Sequence, residues 1–230
     1  MRKAAMGLLI FGITYASITI LRPIVVSNRP LPSSDEFSGA CSIWFIGSST
    51  ISRWSTLPHD LAPWKVNNRG VFGALAGEIA TRFQADDSQQ SPEIIVLYVG
   101  DNDLANGARP ISIKTDIVRF LTYTRRKMPS TRVVVLGVKP SPGRWPLRAE
   151  QLRLDELVRQ EVSARSRTSF ADVASSLLIA GKPGPYYVGD GIHLNPRGYR
   201  LLSEAVRRAI EMSAPPGATA RCSTMSRVAS

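Results

Sequence analysis

The chain is predicted to be an α/β protein, a three-layer α/β/α sandwich around a central parallel sheet of about five strands. Two features of the sequence indicate this fold class. Short apolar runs rich in β-branched residues show no polar alternation, which is typical of strands buried on both faces. Helical stretches separate these runs, and such strand–helix alternation favours a parallel sheet covered on both sides.

Five runs are predicted to be the strands. The two strongest are EIIVLYVG and RVVVLGV, because valine, isoleucine and aromatic residues favour strands. The other three are shorter or more polar, and in chain order they are SIWFIG, KVNNRG and TSFADV. No internal repeat is visible in the sequence.

Four longer stretches between and after these runs are predicted to be helices. In the last of them, Leu202, Ala205 and Ile210 recur at near-helical spacing and would face the sheet. The four stretches are GALAGEIATRF, ISIKTDIVRFLTYTRRKM, LRAEQLRLDELVRQEVSARS and NPRGYRLLSEAVRRAIEM.

The globular domain is predicted to occupy residues 41–212. Before it, an uncharged apolar run from Ala4 to Leu21 is long enough to cross a bilayer. Residues 1–21 are therefore predicted to be an N-terminal signal anchor or signal peptide, and an anchor is favoured because no clear small-x-small cleavage site follows. Residues 22–40 are predicted to be a Pro/Ser linker, and residues 213–230 a disordered tail.

These segments predict an exported protein. With an anchor, the catalytic domain would lie outside the cytoplasm at the inner or plasma membrane, and with a cleaved peptide the protein would be periplasmic or secreted. Cys41 and Cys222 are the only cysteines. The absence of CxxC spacing argues against a metal or redox motif, and both a disulfide and two free thiols remain open.

The net charge of +11 suits a partner rich in phosphate or carboxylate groups. The arginines are scattered along the chain, and neither zinc-finger spacing nor an aromatic–basic signature is present. We therefore expect no nucleic-acid partner, and an anionic lipid or polysaccharide surface fits the charge better.

Polar residues and glycines stand where the predicted strands end, which is the edge of a parallel sheet where ligands bind. GSST follows the first strand, NRGVFG the second and GDND the third, and the turn DGIH precedes the last helix. Each segment alone is typical of a turn or a helix cap. The predicted fold brings all four to the same edge.

In this order the four segments resemble the blocks that define the SGNH (GDSL-type) hydrolase family, over nearly the whole chain from Ser42 to Met212. FIGSST resembles the nucleophile block, NRGVFG the second block, VGDNDL the Gly-x-Asn-Asp block, and DGIHLNPRGY the Asp-x-x-His block. VKPSPGRW, residues 138–145, resembles a loop of one bacterial branch. The resemblance implies a flavodoxin-like SGNH hydrolase fold and carboxylic ester hydrolase activity.

By this resemblance Ser49 is the nucleophile, Asp190 and His193 complete a catalytic triad, and Gly73 and Asn102 form the oxyanion hole. The chemistry fits these residue types. A serine hydroxyl needs a neighbouring base, which a histidine supplies before it protonates the leaving group. A carboxylate on the other ring nitrogen fixes the tautomer of the histidine. Each oxyanion donor is typically worth roughly 10² to 10³ in rate.

Two positions depart from the family pattern. Ser48 stands where most members carry an aspartate, and the Gly-x-Ser register selects Ser49 over Ser48 as the nucleophile. Phe72 replaces a glycine that is common just before the oxyanion glycine, where its ring would either narrow the acyl pocket or strain Gly73.

The sequence thus predicts a serine esterase that forms an acyl-enzyme on short-acyl esters, with O-acetylated envelope carbohydrate as one substrate. Arg144 and Trp145 are predicted to line the leaving-group side, the alternative being that Trp145 only packs its loop. Lysophospholipase or thioesterase activity, or a vestigial site in an envelope-binding protein, remain alternatives. No cofactor and no metal ion are predicted. The predicted partners are the ester substrate and, through the N-terminal apolar segment, a membrane.

Overall fold

A five-stranded parallel sheet with the strand order β2-β1-β3-β4-β5 forms the centre of the fold. The computed structural model describes residues 30–32, 37–86 and 90–228. The strands are β1 Gly39–Gly47, β2 Lys65–Gly70, β3 Pro92–Tyr98, β4 Arg132–Leu136 and β5 Thr168–Ala171. The predicted fold class and all five predicted strands are confirmed, although β1 begins three residues before the predicted SIWFIG run.

Strand β1 shows why these runs need to be apolar on both faces. Its Ile43 and Phe45 belong to one hydrophobic cluster, whereas Trp44 and Ile46 belong to a second cluster on the opposite face. Successive side chains of a strand point to opposite faces, so a strand between two helical layers buries every residue. All four of these side chains are fully buried.

The helices are divided between the two faces of the sheet. The described helices are α1 Ser49–Ser52, α2 Leu57–Asp60, α3 Ala76–Gln84, α4 Asp101–Ala105, α5 Pro110–Lys127, α6 Arg148–Ser163, α7 Pro196–Ser213 and α8 Ala218–Val228. The apolar faces of α3, α5 and α6 pack on the side of Trp44. Those of α7 and α8 pack on the side of Phe45. The other described elements include 3₁₀ turns over Pro142–Leu147 and Ser175–Leu177 and a small hairpin, β6 Leu178–Ile179 with β7 Lys182–Pro183.

The C-terminal segment differs from the prediction of a disordered tail. Residues Ala218–Val228 form α8, and a disulfide joins Cys222 of this helix to Cys41 of β1. Arg221 also pairs with Glu93 of β3 at 2.7 Å. The composition of the tail suggested disorder, but these tertiary contacts hold the helix against the sheet.

The predicted linker at residues 22–40 is also partly incorporated into the domain. Leu31 is buried in the cluster that contains Trp44. The backbone carbonyls of Pro30 and Pro32 accept hydrogen bonds from Arg82 and Arg69, at 2.9 and 2.7 Å. Buried guanidinium groups need hydrogen-bond acceptors, and here residues 30 and 32 provide them. The packed domain therefore begins before the predicted boundary at residue 41.

The predicted signal anchor or signal peptide at residues 1–21 lies outside the described residues. Within residues 30–32, 37–86 and 90–228, the structure contains no helix of the length and apolar character that a membrane crossing requires.

Candidate active site

Ser49 is the first residue of α1, directly after the sharp exit of the chain from β1. Two glycines allow this short helix to lie close to the sheet. A Cβ atom on Gly47 would stand 2.2 Å from the carbonyl oxygen of Tyr98, and one on Gly70 would stand 2.3 Å from the backbone nitrogen of Ser52. Any side chain at either position would displace the backbone that carries Ser49.

His193 reaches Ser49 from the turn between β7 and α7. Its Nε2 lies 2.9 Å from the Oγ of Ser49, and its Nδ1 lies 2.6 Å from Oδ2 of Asp190. Gly191 adopts a φ of +65°, which turns the chain tightly enough for Asp190 and His193 to face each other. The structure thus brings the three predicted triad residues into one hydrogen-bonded chain.

The other oxygen of Asp190 accepts the backbone N–H groups of Ile192 and His193, at 2.8 and 2.9 Å. Partial burial raises the pKa of the Asp190 carboxyl, but the hydrogen bonds from the His193 ring and from these two N–H groups outweigh it and lower the pKa well below its ordinary value. The carboxylate is therefore ionised and holds the proton of the imidazole on Nδ1. This leaves Nε2 free to accept the hydroxyl proton of Ser49.

Two of the predicted oxyanion donors lie in the loop after β2 and in helix α4. The N–H of Val71 donates to the carbonyl of Gly47 at 2.8 Å, which joins the loop after β2 to the end of β1. Gly73 in this loop adopts a φ of +73°, a conformation that favours glycine. The side-chain amide of Asn102 donates to the carbonyl of Ala74 at 3.1 Å. Gly73 and Asn102 therefore belong to neighbouring segments, as the resemblance implies.

Phe72 is 55% exposed and covers one side of the histidine. Its ring stacks on the His193 ring with a centroid distance of 6.0 Å, and the guanidinium carbon of Arg53 lies 5.1 Å from its centroid. The ring is thus part of the surface that a substrate meets. The φ of Gly73 is one that glycine adopts readily, which fits the first expectation for Phe72, a narrower pocket, better than a strained Gly73.

Arg144 and Trp145 lie half-buried in the 3₁₀ turn that follows β4. The guanidinium of Arg144 contacts the side chains of Asp101 and Asn102, at 2.8 and 2.9 Å. Its predicted contact with a leaving group remains a prediction, as does that of Trp145. Sequence reasoning passed over Asp101, which follows a buried strand and lies directly beside Asn102.

Lys139 is a second residue that sequence reasoning passed over. Its ammonium group is buried, pairs with Asp101 at 3.1 Å and donates to the carbonyl of Ile192 at 2.8 Å. A lysine placed directly after a buried β-branched run was the available signal, because a charge at that position needs a partner at the edge of the sheet.

One group of side chains in the described part of the chain has metal-ligand chemistry. Atoms of Cys41, Glu93 and Cys222 lie within 4.8 Å of one another. The two sulfurs are bonded to each other as a disulfide, so they do not offer the thiolates that bind a metal ion.

The comparisons with known proteins agree with this geometry. The model of the GDSL-like lipase/acylhydrolase family matches residues 44–201, which include all four sequence blocks. The chain belongs to the GDSL-like lipase/acylhydrolase family. This confirms the resemblance noted from the sequence, and the hydrolase is a carboxylic ester hydrolase.

The known relatives align with different shares of the hydrolase. The hydrolase is 27% identical to the platelet-activating factor acetylhydrolase IB subunit alpha1 of Bos taurus, over 70% of this chain and 72% of that one. It is 30% identical to a multidomain esterase of Ruminococcus flavefaciens, over 62% of this chain and 19% of that protein. The crystal structure of a GDSL-like lipase of Bacteroides thetaiotaomicron superposes with a TM-score of 0.63 at 19% identity, covering 83% of this chain and 95% of the other.

Proposed function

We propose that the hydrolase is a serine esterase that works through a covalent acyl-enzyme. The hydrogen-bonded chain from the Oγ of Ser49 through His193 to Asp190 is the observation that carries this proposal. A serine hydroxyl beside an oriented imidazole is the arrangement that activated nucleophiles require. A vestigial site would have no need to keep these three side chains aligned.

In the first half of the proposed reaction, Ser49 Oγ attacks the ester carbonyl carbon while Nε2 of His193 takes the hydroxyl proton. The oxyanion that forms accepts hydrogen bonds from the N–H groups of Ser49 and Gly73 and from the amide of Asn102. The Ser49 N–H lies in the first turn of α1, where helical N–H groups have no partner within the helix. Collapse of the intermediate breaks the C–O bond, and His193 returns its proton to the leaving alcohol.

In the second half, water replaces the alcohol. His193 takes a proton from the water, whose oxygen attacks the acyl carbon of the acyl-enzyme. The tetrahedral intermediate uses the same donors and collapses to release the carboxylic acid. His193 gives its proton back to Ser49, which restores the starting state.

We further propose short-acyl esters as substrates, with O-acetylated envelope carbohydrate as the favoured class. The exposed Phe72 ring lies beside His193, and the guanidinium of Arg53 lies over that ring. A charged group at this position interrupts an apolar surface, and each methylene of an acyl chain adds about 0.8 kcal/mol only where such a surface receives it. The name of the bovine relative, an acetylhydrolase, supports a short acyl group. Lysophospholipase or thioesterase activity is the second candidate.

The proposed location is outside the cytoplasm, with the apolar segment Ala4–Leu21 as a membrane anchor. The disulfide between Cys41 and Cys222 supports export, because disulfides persist in oxidising compartments and are rare in the cytosol. The net charge of +11 suits the anionic polymers and lipids of a cell envelope.

Covalent labelling tests the proposed nucleophile. A fluorophosphonate probe should label the parent protein, and Ser49→Ala should abolish both labelling and hydrolysis of p-nitrophenyl acetate. Ser48→Ala is the matched control. It should keep substantial activity, because Ser48 contributes its backbone N–H to the Tyr98 carbonyl at 3.1 Å and this bond survives the change. An inactive Ser48 variant with an active Ser49 variant would assign the nucleophile to Ser48.

A series of p-nitrophenyl esters tests the acyl length. Acetyl to butyryl esters should be cleaved much faster than the palmitoyl ester, and Phe72→Ala should reduce that preference by widening the acyl side. Met212→Ala is the control, because Met212 is an exposed apolar side chain at the far end of α7. A rate maximum at twelve or more acyl carbons would refute the short-acyl assignment.

A further inference from the structure

A cluster of buried charges lies directly behind the oxyanion side of the site. Asp101 and Lys139 are almost completely buried, and the side chain of Arg144 is 14% exposed. Oδ2 of Asp101 accepts from Nζ of Lys139 at 3.1 Å and from Nη1 of Arg144 at 2.8 Å. Buried charges are costly unless they are paired with good geometry, so a cluster of this kind needs a reason to be retained.

Arg144 uses its second arm on the neighbouring residue. Its Nη2 donates to Oδ1 of Asn102 at 2.9 Å, while Nδ2 of Asn102 donates to the carbonyl of Ala74 at 3.1 Å. A guanidinium is only a donor and a backbone carbonyl is only an acceptor, so both contacts require the same orientation of the amide. One N–H of Asn102 is bound to Ala74 in that orientation, and the second N–H is the one that a substrate oxygen can use.

We propose that Arg144, held by Asp101, is a positioning residue that fixes and polarises the amide of Asn102 for the oxyanion. This inference rests on the proposed function, in which Asn102 is an oxyanion donor. A cation on the carbonyl oxygen of an amide withdraws electron density from its N–H groups and makes them stronger donors. Such donors help catalysis only if they are oriented before the charge develops.

Asp101 holds the guanidinium of Arg144 in position. Burial raises the pKa of the Asp101 carboxyl, but the Lys139 ammonium and the Arg144 guanidinium outweigh it and lower the pKa below its ordinary value. The ionised carboxylate anchors one arm of Arg144, so the planar fork presents the other arm at a fixed angle. Lys139 extends the network to the Ile192 carbonyl beside His193. The same cluster therefore contacts the loop that carries the histidine.

A double-mutant cycle on kcat tests the proposal. Arg144→Met should lower kcat for p-nitrophenyl acetate roughly tenfold to a hundredfold, with little change in KM. Loss of one oxyanion donor typically costs about 10² to 10³ in kcat, and Asn102→Ala should approach this range. In the Asn102→Ala background, Arg144→Met should change kcat by less than about threefold, because the group on which Arg144 acts is gone. If Arg144 had only a structural role, Arg144→Met would lower kcat by the same factor with and without Asn102. That result would overturn the proposal.

Two further variants keep the test decisive. Arg144→Lys retains the positive charge beside Asp101 but loses the forked donor, so it should melt like the parent protein and still show a lowered kcat. Parent-like kcat in Arg144→Lys would show that charge alone suffices and would also overturn the proposal. Arg148→Met is the control, because Arg148 lies in the next helix and contacts Gln151. Failure of the proposed function itself would show separately, as activity retained in Ser49→Ala.

Discussion

Asp190 accepts three hydrogen bonds, one from the ring of His193 and two from the backbone of its own turn. These contacts are local, since the donors lie two and three residues further along the chain. The sequence Asp-Gly-Ile-His therefore orients the histidine before any substrate binds. The 2.9 Å hydrogen bond to Ser49, by contrast, joins His193 to a residue 144 positions away in sequence.

The lowered pKa of Asp190 bears on the pH dependence of kcat/KM. Its carboxylate stays ionised above about pH 4, where an ordinary aspartate would take up a proton, so this group adds no limb to the profile there. We therefore expect kcat/KM to show no inflection near pH 4. An inflection at that pH would contradict the lowered pKa of Asp190.

Asp155 links helix α6 to the segment that follows β4. Its Oδ1 accepts the backbone N–H of Val138 at 2.9 Å. Burial raises the pKa of the Asp155 carboxyl from 3.8 to about 6, although the hydrogen bond from Val138 and the nearby Arg148 oppose the shift. The folded protein therefore prefers the protonated carboxyl.

This preference has a definite sign in the free energy of unfolding. The stabilisation by protonated Asp155 is fully present below pH 3.8 and is lost as the pH rises through about 6. Asp155→Asn keeps an acceptor for Val138 and removes the titration. Between pH 4 and pH 7.5, urea unfolding should show the variant gaining about 1 to 3 kcal/mol relative to the parent protein, at 1.36 kcal/mol per pKa unit. A difference that is independent of pH would refute the raised pKa.

The strands and long helices could be predicted from sequence because each carries its own local pattern. The predicted helix at GALAGEIATRF begins only at Ala76, since Gly73 takes a left-handed conformation that a helix excludes. Helices α1 and α2 have four residues each, too few for a periodic signal. Helix α8 was missed because the disulfide to Cys41 and the ion pair of Arg221 with Glu93 join it to residues far away in sequence.

The residues of the candidate site also fall into two groups, those that stand in short sequence motifs and those that only the fold brings together. Ser49, Asn102 and His193 stand in short motifs that can be read directly from the sequence. The pairing of Asp101 with Lys139 joins residues 38 positions apart, and no motif of either segment specifies the other. Such a contact follows only from the register of β3 and β4 in the sheet.

The disulfide joins residues 181 positions apart, so one covalent loop contains strands β2 to β5 and β1 from Cys41 onward. Removing the crosslink by Cys222→Ser should lower the free energy of unfolding by about 2 to 5 kcal/mol. Thermal melts with and without reductant measure the effect. Reductant should lower the Tm of the parent protein to that of the variant and leave the variant unchanged. Equal Tm values for the oxidised parent and the variant would contradict a stabilising crosslink.

The packing of Leu31 into the domain limits how far the enzyme can move if Ala4–Leu21 is held in a bilayer. Only residues 22–29 then separate the membrane from the first described residue, Pro30. A fully extended chain spans at most about 3.6 Å per residue, so this connecting segment is no longer than roughly 29 Å. With such an anchor, the first residue of the packed domain would stay within that distance of the membrane. Insertion of residues between positions 22 and 29 would then extend the reach of the enzyme to esters further from the membrane.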